Sequence, residues 1–336
     1  MKILGIETSC DETSAAVVED GRRVLSNVVA TQTEIHRKYG GVVPEIASRA
    51  HLEALVPVVA EALQQARLDM QAIDAMAVVN RPGLIGSLLL GVTAAKTLAW
   101  LHDRPLVGLN HVECHIYAAC LERDELPFPC VALIVSGGHT SLYLCASPLN
   151  QTLLGATTDD AAGEAFDKVA SLLGLEYPGG PSVDRAAEHG SPAAVRFSRP
   201  WLAADSFDFS FSGLKTAVLY HVRGHGADVK KRAAHLSERE VADVAASFQE
   251  CVVDVLVGKT LRAAEVHGLD RIIVGGGVAA NRRLRARLRQ ETRDAGIELL
   301  LPQMRYCTDN AAMVAGLAYH DVQTGRVSGL DLEARA

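Results

Sequence analysis

The sequence predicts an α/β protein built as two related lobes with a nucleotide cleft between them. Three observations predict it. A strand-strand-strand-helix pattern followed by strand-helix units runs through the chain twice. The segment Pro127-Phe128-Pro129 separates the two runs as a hinge. Each run opens on a strand, a small polar turn and a return strand: Leu4–Ser14 in the first, Leu133–Ser141 in the second. Backbone N–H groups at such turns can cradle phosphate oxygens, and Gly137 and Gly138 permit close approach and positive φ. With 336 residues, each lobe can have its own core. The expected division is 1–127 and 128–308, with a C-terminal helix, 309–325, packing near the first lobe.

In the first run, residues 2–7, 13–19 and 24–29 read as strands. Leu52, Leu55, Val59, Ala62, Leu63 and Ala66 mark a helix over 46–66, and Pro57 should kink it or shift its start. Buried strands follow at Ala75–Val79 and Leu106–Leu109, and helices at Gly86–Leu101 and His111–Leu121. In the second run, strands are expected at 131–135, 140–145 and 152–156, and helices from Ala162 and Phe211. A long helix over 238–267 precedes strand Arg271–Val274, a helix from Ala280, strand Glu298–Leu301 and a last helix from Asp309.

Composition sets limits. Hydrophobic residues make up 49% and charged residues 22%, as in an ordinary soluble globular protein. No apolar stretch reaches the roughly 18 residues of a membrane span. The opening residues run into a strand pattern without signal-peptide architecture. The seven cysteines are scattered and never spaced Cys-x-x-Cys, which suits reduced thiols in a cytoplasm. A net charge of −7 argues against a generally nucleic-acid-coating surface and leaves room for a local basic patch.

Chemistry is concentrated in a few places. His111 and His115 stand four positions apart, about 40° round a helix, so both can reach one metal ion. They lie where a strand gives way to a helix, the usual ligand-binding edge of an open α/β sheet. Asp309 opens the last helix and reads as its N-cap; in a duplicated fold it can equally supply an oxygen beside the two histidines. Ile272–Asn281 ends an apolar strand in three glycines at a helix start, where a ligand can lie against bare backbone. Arg282, Arg283, Arg285, Arg287 and Arg289 crowd the start of that helix against its dipole. Either anionic phosphates offset them or they form a solvated face paired with Glu291 and Asp294. Lys230-Lys231-Arg232, beside His235, carries the same two readings. Asp160, Glu164, Asp167 and Lys168 fall at helical spacings; a carboxylate can accept both hydroxyls of a ribose, and a Pro-Gly-Gly-Pro turn presents another at Asp184. Asp159 and Asp160 read best as helix-capping acids.

Together these motifs resemble the TsaD family, the threonylcarbamoyltransferases that modify tRNA. The resemblance rests on Gly5–Thr13, Tyr39–Glu45, the histidine pair, Val135–Thr140, Asp159–Lys168, Phe209–Lys215, Gly275–Asn281 and Cys307–Asn310, and extends from Met1 to about Gly325. It implies an actin-like ATPase (ASKHA, RNase H-like) fold and a cytoplasmic enzyme. It implies one divalent metal ion, Fe2+, with Zn2+ or Mg2+ as alternatives in a purified sample, held by His111, His115 and Asp309. It implies an adenylate-bearing substrate, threonylcarbamoyl-AMP, contacted by Ile134, Val135, Ser136, Gly137, Gly138, Asp167, Gly180, Asp184 and Asn281. The acyl group would pass to N6 of the adenosine beside the anticodon, in tRNAs reading codons that begin with A, releasing AMP. Asp11 or Glu12 would take the amine proton or orient the donor. A homologous inactive subunit and a small ATPase are the implied partners. Two departures stand out: Cys114 replaces a glycine between the histidines, and Arg81 replaces the first glycine of a Gly-Pro-Gly-Leu loop.

Two rival readings belong to other classes. A zinc endopeptidase places its general-base Glu directly after the first His, whereas Glu113 lies two after His111, about 200° round. An actin-fold ATPase or kinase holds Mg2+ through carboxylates and phosphates, without a histidine pair.

Overall fold

A computed structural model describes residues 1–201, 203, 205–224 and 236–336, so the Lys230-Lys231-Arg232 cluster and His235 lie outside the described residues. The chain divides into two compact units. One comprises Met1–Phe128, Ala146–Gln151 and Pro302–Ala336; the other comprises Pro129–Cys145 and Thr152–Leu301.

The first unit is built on β1 (Lys2–Glu7), β2 (Glu12–Glu19), β3 (Arg23–Thr31), β4 (Ala75–Arg81) and β5 (Leu106–Asn110), in sheet order β3-β2-β1-β4-β5. Strand β1 pairs antiparallel with β2 and parallel with β4, which pairs parallel with β5. Central strands covered on both faces read as continuous apolar runs, and Lys2–Glu7 is buried along nearly its whole length for that reason. Leu4 and Ile6 join a core with Leu55, Val58 and Ala62 of α2 (Pro44–Ala66) and Val92, Ala95 and Ala99 of α3 (Ile85–Leu101). The short α1 (Thr33–Arg37) precedes α2, and α4 (His111–Tyr117) follows β5 directly. Helix α2 starts at Pro44 and continues through Pro57 as one element, because its buried face compensates one missing N–H donor.

The second unit repeats the plan. Strands β6 (Cys130–Val135), β7 (Thr140–Ser147) and β8 (Asn150–Ala156) come first, then α5 (Ala162–Leu172), α6 (Gly179–Ala187), α7 (Ser212–Arg223) and α8 (Glu238–His267). Strand β9 (Arg271–Gly275), α9 (Arg282–Asp294) and β10 (Glu298–Leu300) complete it. The sheet order is β10-β9-β6-β7-β8, the first sheet's order with corresponding strands in corresponding places. Again the first strand is antiparallel to the second and parallel to the fourth. A Ser237–Glu240 capping box starts α8, Gly268 at φ 62° ends it, and its central turns are buried in the unit's core. A turn was expected at Pro178-Gly179-Gly180-Pro181, but α6 begins there: Pro178 is the N-cap and Pro181 sits in the first turn, where a helix needs no proline N–H.

The last helix, α10 (Ala311–Gln323), belongs to the first unit and packs against β1, β2 and β4. It crosses β1 at Gly5, where an added Cβ would stand 2.5 Å from the Ala311 carbonyl oxygen and 2.8 Å from the Ala315 nitrogen. Leu4 and Ile6 point toward α2 and α3, so Gly5 faces α10 and must be bare. Beyond α10 the tail lies along the sheet edge. Ser328 bridges to Leu106, and the Asn80 amide and backbone carbonyl bond Glu333 and Arg335 at 2.8 Å each.

Gly5→Ala presses a methyl group into helix backbone and should destabilise the protein by roughly 1–3 kcal/mol in urea unfolding. A change below about 0.5 kcal/mol would mean that α10 is free to shift.

Candidate metal centre

Glu7 ends β1 and is fully buried. One carboxylate oxygen accepts the Ser9 N–H at 2.5 Å and the other faces His111 Nδ1 at 3.0 Å. Ser9 Oγ also lies 3.0 Å from that nitrogen. A carboxylate at Nδ1 holds the proton there and leaves the Nε2 lone pair pointing the other way, as in carboxylate–histidine–metal arrangements. On that side, Asp309 Oδ1 lies 3.5 Å from His111 Nε2 and 3.0 Å from His115 Nε2. The two rings meet edge to face with centroids 4.6 Å apart.

Helix α4 supplies both imidazoles on one face. Its N-cap is Asn110, whose side chain accepts from the Val112 and Glu113 N–H groups. The expectation that Asp309 caps the last helix is corrected. Asn310 is the cap of α10, accepting from Met313 N at 3.2 Å. Asp309 lies outside the helix, and its carboxylate turns to the histidines.

These three residues fit a metal ion. One donor atom of each lies within 4.8 Å of the others. Ligands on neighbouring positions of a metal with bonds of about 2.1 Å sit about 3 Å apart, near the spacing found here. His115 is fully buried, so the Nε2 that it turns to Asp309 is shielded from bulk water. Two nitrogens and one carboxylate oxygen suit iron or zinc better than magnesium.

Negative charge converges on the same spot. Burial pushes the Glu12 carboxyl well above the usual carboxylate range, with Asp309, Asp11 and Glu7 adding to the effect. Burial likewise raises the Cys10 thiol, reinforced by Asp11 and Asp309. The turn Cys10-Asp11-Glu12 therefore faces Asp309. Burial opposes a proton on His111, yet Asp309 and Glu7 outweigh it and push the ring up to about 9. Carboxylates crowded to this extent favour a cation among them.

In the second unit, the turn after β6 is closed by Ser136 N–H to the His139 carbonyl at 2.8 Å and His139 N–H to Ser136 Oγ at 3.2 Å. Ile134, Val135 and Ser136 are buried, while Gly137 and Gly138 are exposed with open space at their Cβ positions. Neither glycine uses the positive φ open to it; openness is what they contribute. The positive φ occurs at Gly276, 89°, where a Cβ would strike the Val135 carbonyl. Gly163 packs against Ser136, and its N–H donates to the Ser136 carbonyl. Asp167 accepts the Gly179 N–H at 2.7 Å, beside Gly180. Asp184 receives Arg282 Nε at 2.6 Å. Asn281 caps α9 through Leu284 N–H and donates to Gln249 at 2.7 Å.

A family model described as tRNA N6-adenosine threonylcarbamoyltransferase, TsaD, matches residues 23–316. The chain belongs to this family.

TsaD relatives from Geobacter metallireducens and Syntrophobacter fumaroxidans are 54% and 52% identical, over 99% and 100% of this chain and 96% and 99% of their own lengths. Both bear the name tRNA N6-adenosine threonylcarbamoyltransferase, so the chain falls among tRNA-modifying transferases. Among solved structures, full-length HypF in its phosphate- and nucleotide-bound form aligns with TM-score 0.64 at 15% identity, over 97% of this chain and 56% of that one. Component A of the Acidaminococcus fermentans (R)-2-hydroxyglutaryl-CoA dehydratase gives 0.53 at 16%, over 96% and 99%. Such likeness shows the fold, which is that of the actin-like ATPases.

The two departures from the TsaD pattern occupy different surroundings. Cys114 is fully buried in α4. Arg81 is exposed at the end of β4, donates to Asn80 Oδ1 at 3.1 Å and acts electrostatically on Glu113. The loop it opens still closes on the first turn, with Leu84 N–H donating to the Ser9 carbonyl at 2.8 Å.

The arginine-rich start of α9 is largely matched inside the protein. Arg283 makes two bonds to Glu250, at 2.6 and 2.7 Å, and Arg287 reaches Glu250, Asp254 and Glu291. Arg282 bonds Asp184 and Glu188. Of the two acids expected as partners, Glu291 serves; the others come from α6 and α8. Asp159 is also corrected: it accepts from Ser210, Ser212 and the N–H groups of Phe211 and Ser212, tying down the start of α7 rather than its own helix. Asp160 caps no helix and pairs with Lys168 and Lys215.

Asn310→Ala should cost about 1 kcal/mol of stability through lost capping. Asp309→Asn, which removes a like charge, should cost less than that in the metal-free protein; the reverse order in urea titrations would restore Asp309 as the cap. The hydrogen bond from Arg283 holds the Glu250 carboxyl below its usual range. Its stabilisation is therefore complete above the unfolded value of about 4.3 and is lost as pH falls through the lower folded value. Glu250→Gln should be destabilised at pH 7, with the gap from wild type closing below pH 4.3 in pH-dependent melts.

Proposed function

We propose that this protein transfers the threonylcarbamoyl group from threonylcarbamoyl-AMP to N6 of the adenosine beside the anticodon, in tRNAs reading codons that begin with A. The observation that carries this reading is the meeting of His111, His115 and Asp309 beside the Asp11–Glu12 turn, in a chain of the TsaD family. His111, His115 and Asp309 would hold a divalent metal, Fe2+ as in the family resemblance with Zn2+ or Mg2+ as alternatives in a purified sample, which when bound would supply a Lewis acid for the acyl group. Glu7 and Ser9 orient His111 for that task.

The exocyclic amine of adenine is a weak nucleophile, so the donor must be activated. A mixed anhydride meets that need. Attack forms the N6–carbon bond and breaks the bond from the acyl carbon to the phosphate oxygen, which leaves as AMP. Asp11 or Glu12, from the turn where burial raises the Glu12 carboxyl, takes the proton lost by the amine or orients the donor. Ile134, Val135, Ser136, Gly137, Gly138, Asp167, Gly180, Asp184 and Asn281 bind the adenylate. Gly137 and Gly138 provide bare backbone for the phosphate.

Leu52 and Val56 of α2 and Ile85 and Leu89 of α3 are large apolar side chains left exposed, between 48% and 75%. This face receives the homologous inactive subunit, and a small ATPase completes the set of partners. No helix among the described residues is long and apolar enough to cross a membrane, and the reaction is assigned to the cytoplasm, where tRNA is found.

The endopeptidase reading lacks a base. Glu113 lies two positions after His111, about 200° round the helix, and is half-buried with its carboxyl raised by burial and acted on by Arg81.

The test combines purified protein, its partners, threonylcarbamoyl-AMP and an ANN-decoding tRNA, read by nucleoside mass spectrometry and elemental analysis. Modified adenosine should form, and His111→Ala or Asp309→Ala should lower both bound metal and product by about 100-fold or more. Wild-type protein that forms no modified adenosine, or ligand variants that keep full activity, would overturn the reading.

A further inference from the structure

The turn joining β1 to β2 carries Cys10, Asp11 and Glu12, and its backbone is pinned at successive peptides. Glu7 takes the Ser9 N–H, Leu84 N–H reaches the Ser9 carbonyl, and Gln32 N–H reaches the Asp11 carbonyl at 3.0 Å. The Cys10 carbonyl is held differently. Its partner is His51 Nε2, at 2.9 Å, a side chain from the buried face of α2. His51 is fully buried, and its Nδ1 lies 2.8 Å from Thr13 Oγ. One ring thus grips the acid turn on both sides.

The chemistry of the partners fixes the ring's state. A carbonyl oxygen only accepts, so Nε2 carries a proton; in the neutral ring Nδ1 accepts and the Thr13 hydroxyl donates. Burial lowers the basicity of the ring and keeps it neutral in this position. A neutral imidazole bonded at both nitrogens restrains the peptide before Asp11.

We propose that His51 is a positioning residue for the reaction: through Cys10 and Thr13 it fixes the turn that aims Asp11 and Glu12 at the reacting centre. The proposal rests on the transferase reading given above. His51 contacts neither the metal ligands nor any group assigned to substrate, so its removal affects turnover and spares metal binding.

Two measurements test it. In 15N-resolved imidazole spectra of the metal-loaded protein, His51 should be the Nε2–H tautomer at neutral pH. The Nδ1–H tautomer would overturn the proposal, and this result does not depend on the activity assay. In kinetics with threonylcarbamoyl-AMP and tRNA, His51→Leu should lower kcat by about 10- to 100-fold, with KM and metal content within about twofold of wild type. His51→Gln, whose amide N–H can reach Cys10, should recover most of that loss. Unchanged kcat in His51→Leu, or a loss that tracks metal content, would overturn the assignment. Should His51→Leu fail to fold, Thr13→Val decides: a fall in kcat at full metal content supports the proposal, and wild-type kcat refutes it. An inactive wild type bearing the Nε2–H tautomer would sink the transferase reading and leave the bonding of His51 to the turn intact.

Discussion

Burying a carboxylate at the end of a central strand costs several kcal/mol unless both of its oxygens find donors. Glu7 is placed in that position, and the centre is organised around satisfying it. One oxygen takes the Ser9 N–H and shapes the start of the acid turn; the other takes His111 Nδ1 and sets the ring's orientation. Because the imidazole is committed on one side, its remaining nitrogen faces His115 and Asp309. The carboxyl groups of Asp309, Asp11 and Glu12 then gather on the far side of the pair. A cation-binding site follows from how a buried acid is hydrogen-bonded.

Close backbone approach does comparable work in both units. Gly5 lets α10 lie directly on β1, which brings the loop before that helix, and with it Asp309, to the end of the strand that bears Glu7. Gly276 lets the loop after β9 lie on Val135, at the end of the equivalent strand β6. In each case bare backbone at the middle of a sheet allows a polar turn to stand at its edge.

The strands were legible because central strands carry unbroken apolar runs, and the long helix because its period and capping box agree. Helix α6 was not, since two glycines and two prolines in succession imitate a turn; only the packing of α5 and α8 against it shows otherwise. Asp309 and Asn310 are both good caps and adjacent, so local chemistry gave no reason to choose between them. The histidine pair was visible because four-residue spacing is a local signal. Glu7, Ser9 and His51 were missed as participants because their bonds to His111, Thr13 and Cys10 span 38 to 104 positions and leave no spacing to read. The arginines of α9 left two readings open, phosphates or a solvated paired face, because Glu250 and Asp254, which answer them, belong to another helix.

Helices α4 and α10 occupy the same place in the two repeats: each follows the fifth strand of its sheet. One brings both imidazoles and the other arrives with the carboxylate, yet both are built into the first unit. A ribosome therefore releases the histidines long before it releases their oxygen partner, with the whole second sheet synthesised in between. The first unit must wait for α10 to cover Gly5, and any metal held by all three groups would bind only after that helix has been made. A metal held by all three groups would therefore report that α4 and α10 have both been made and packed.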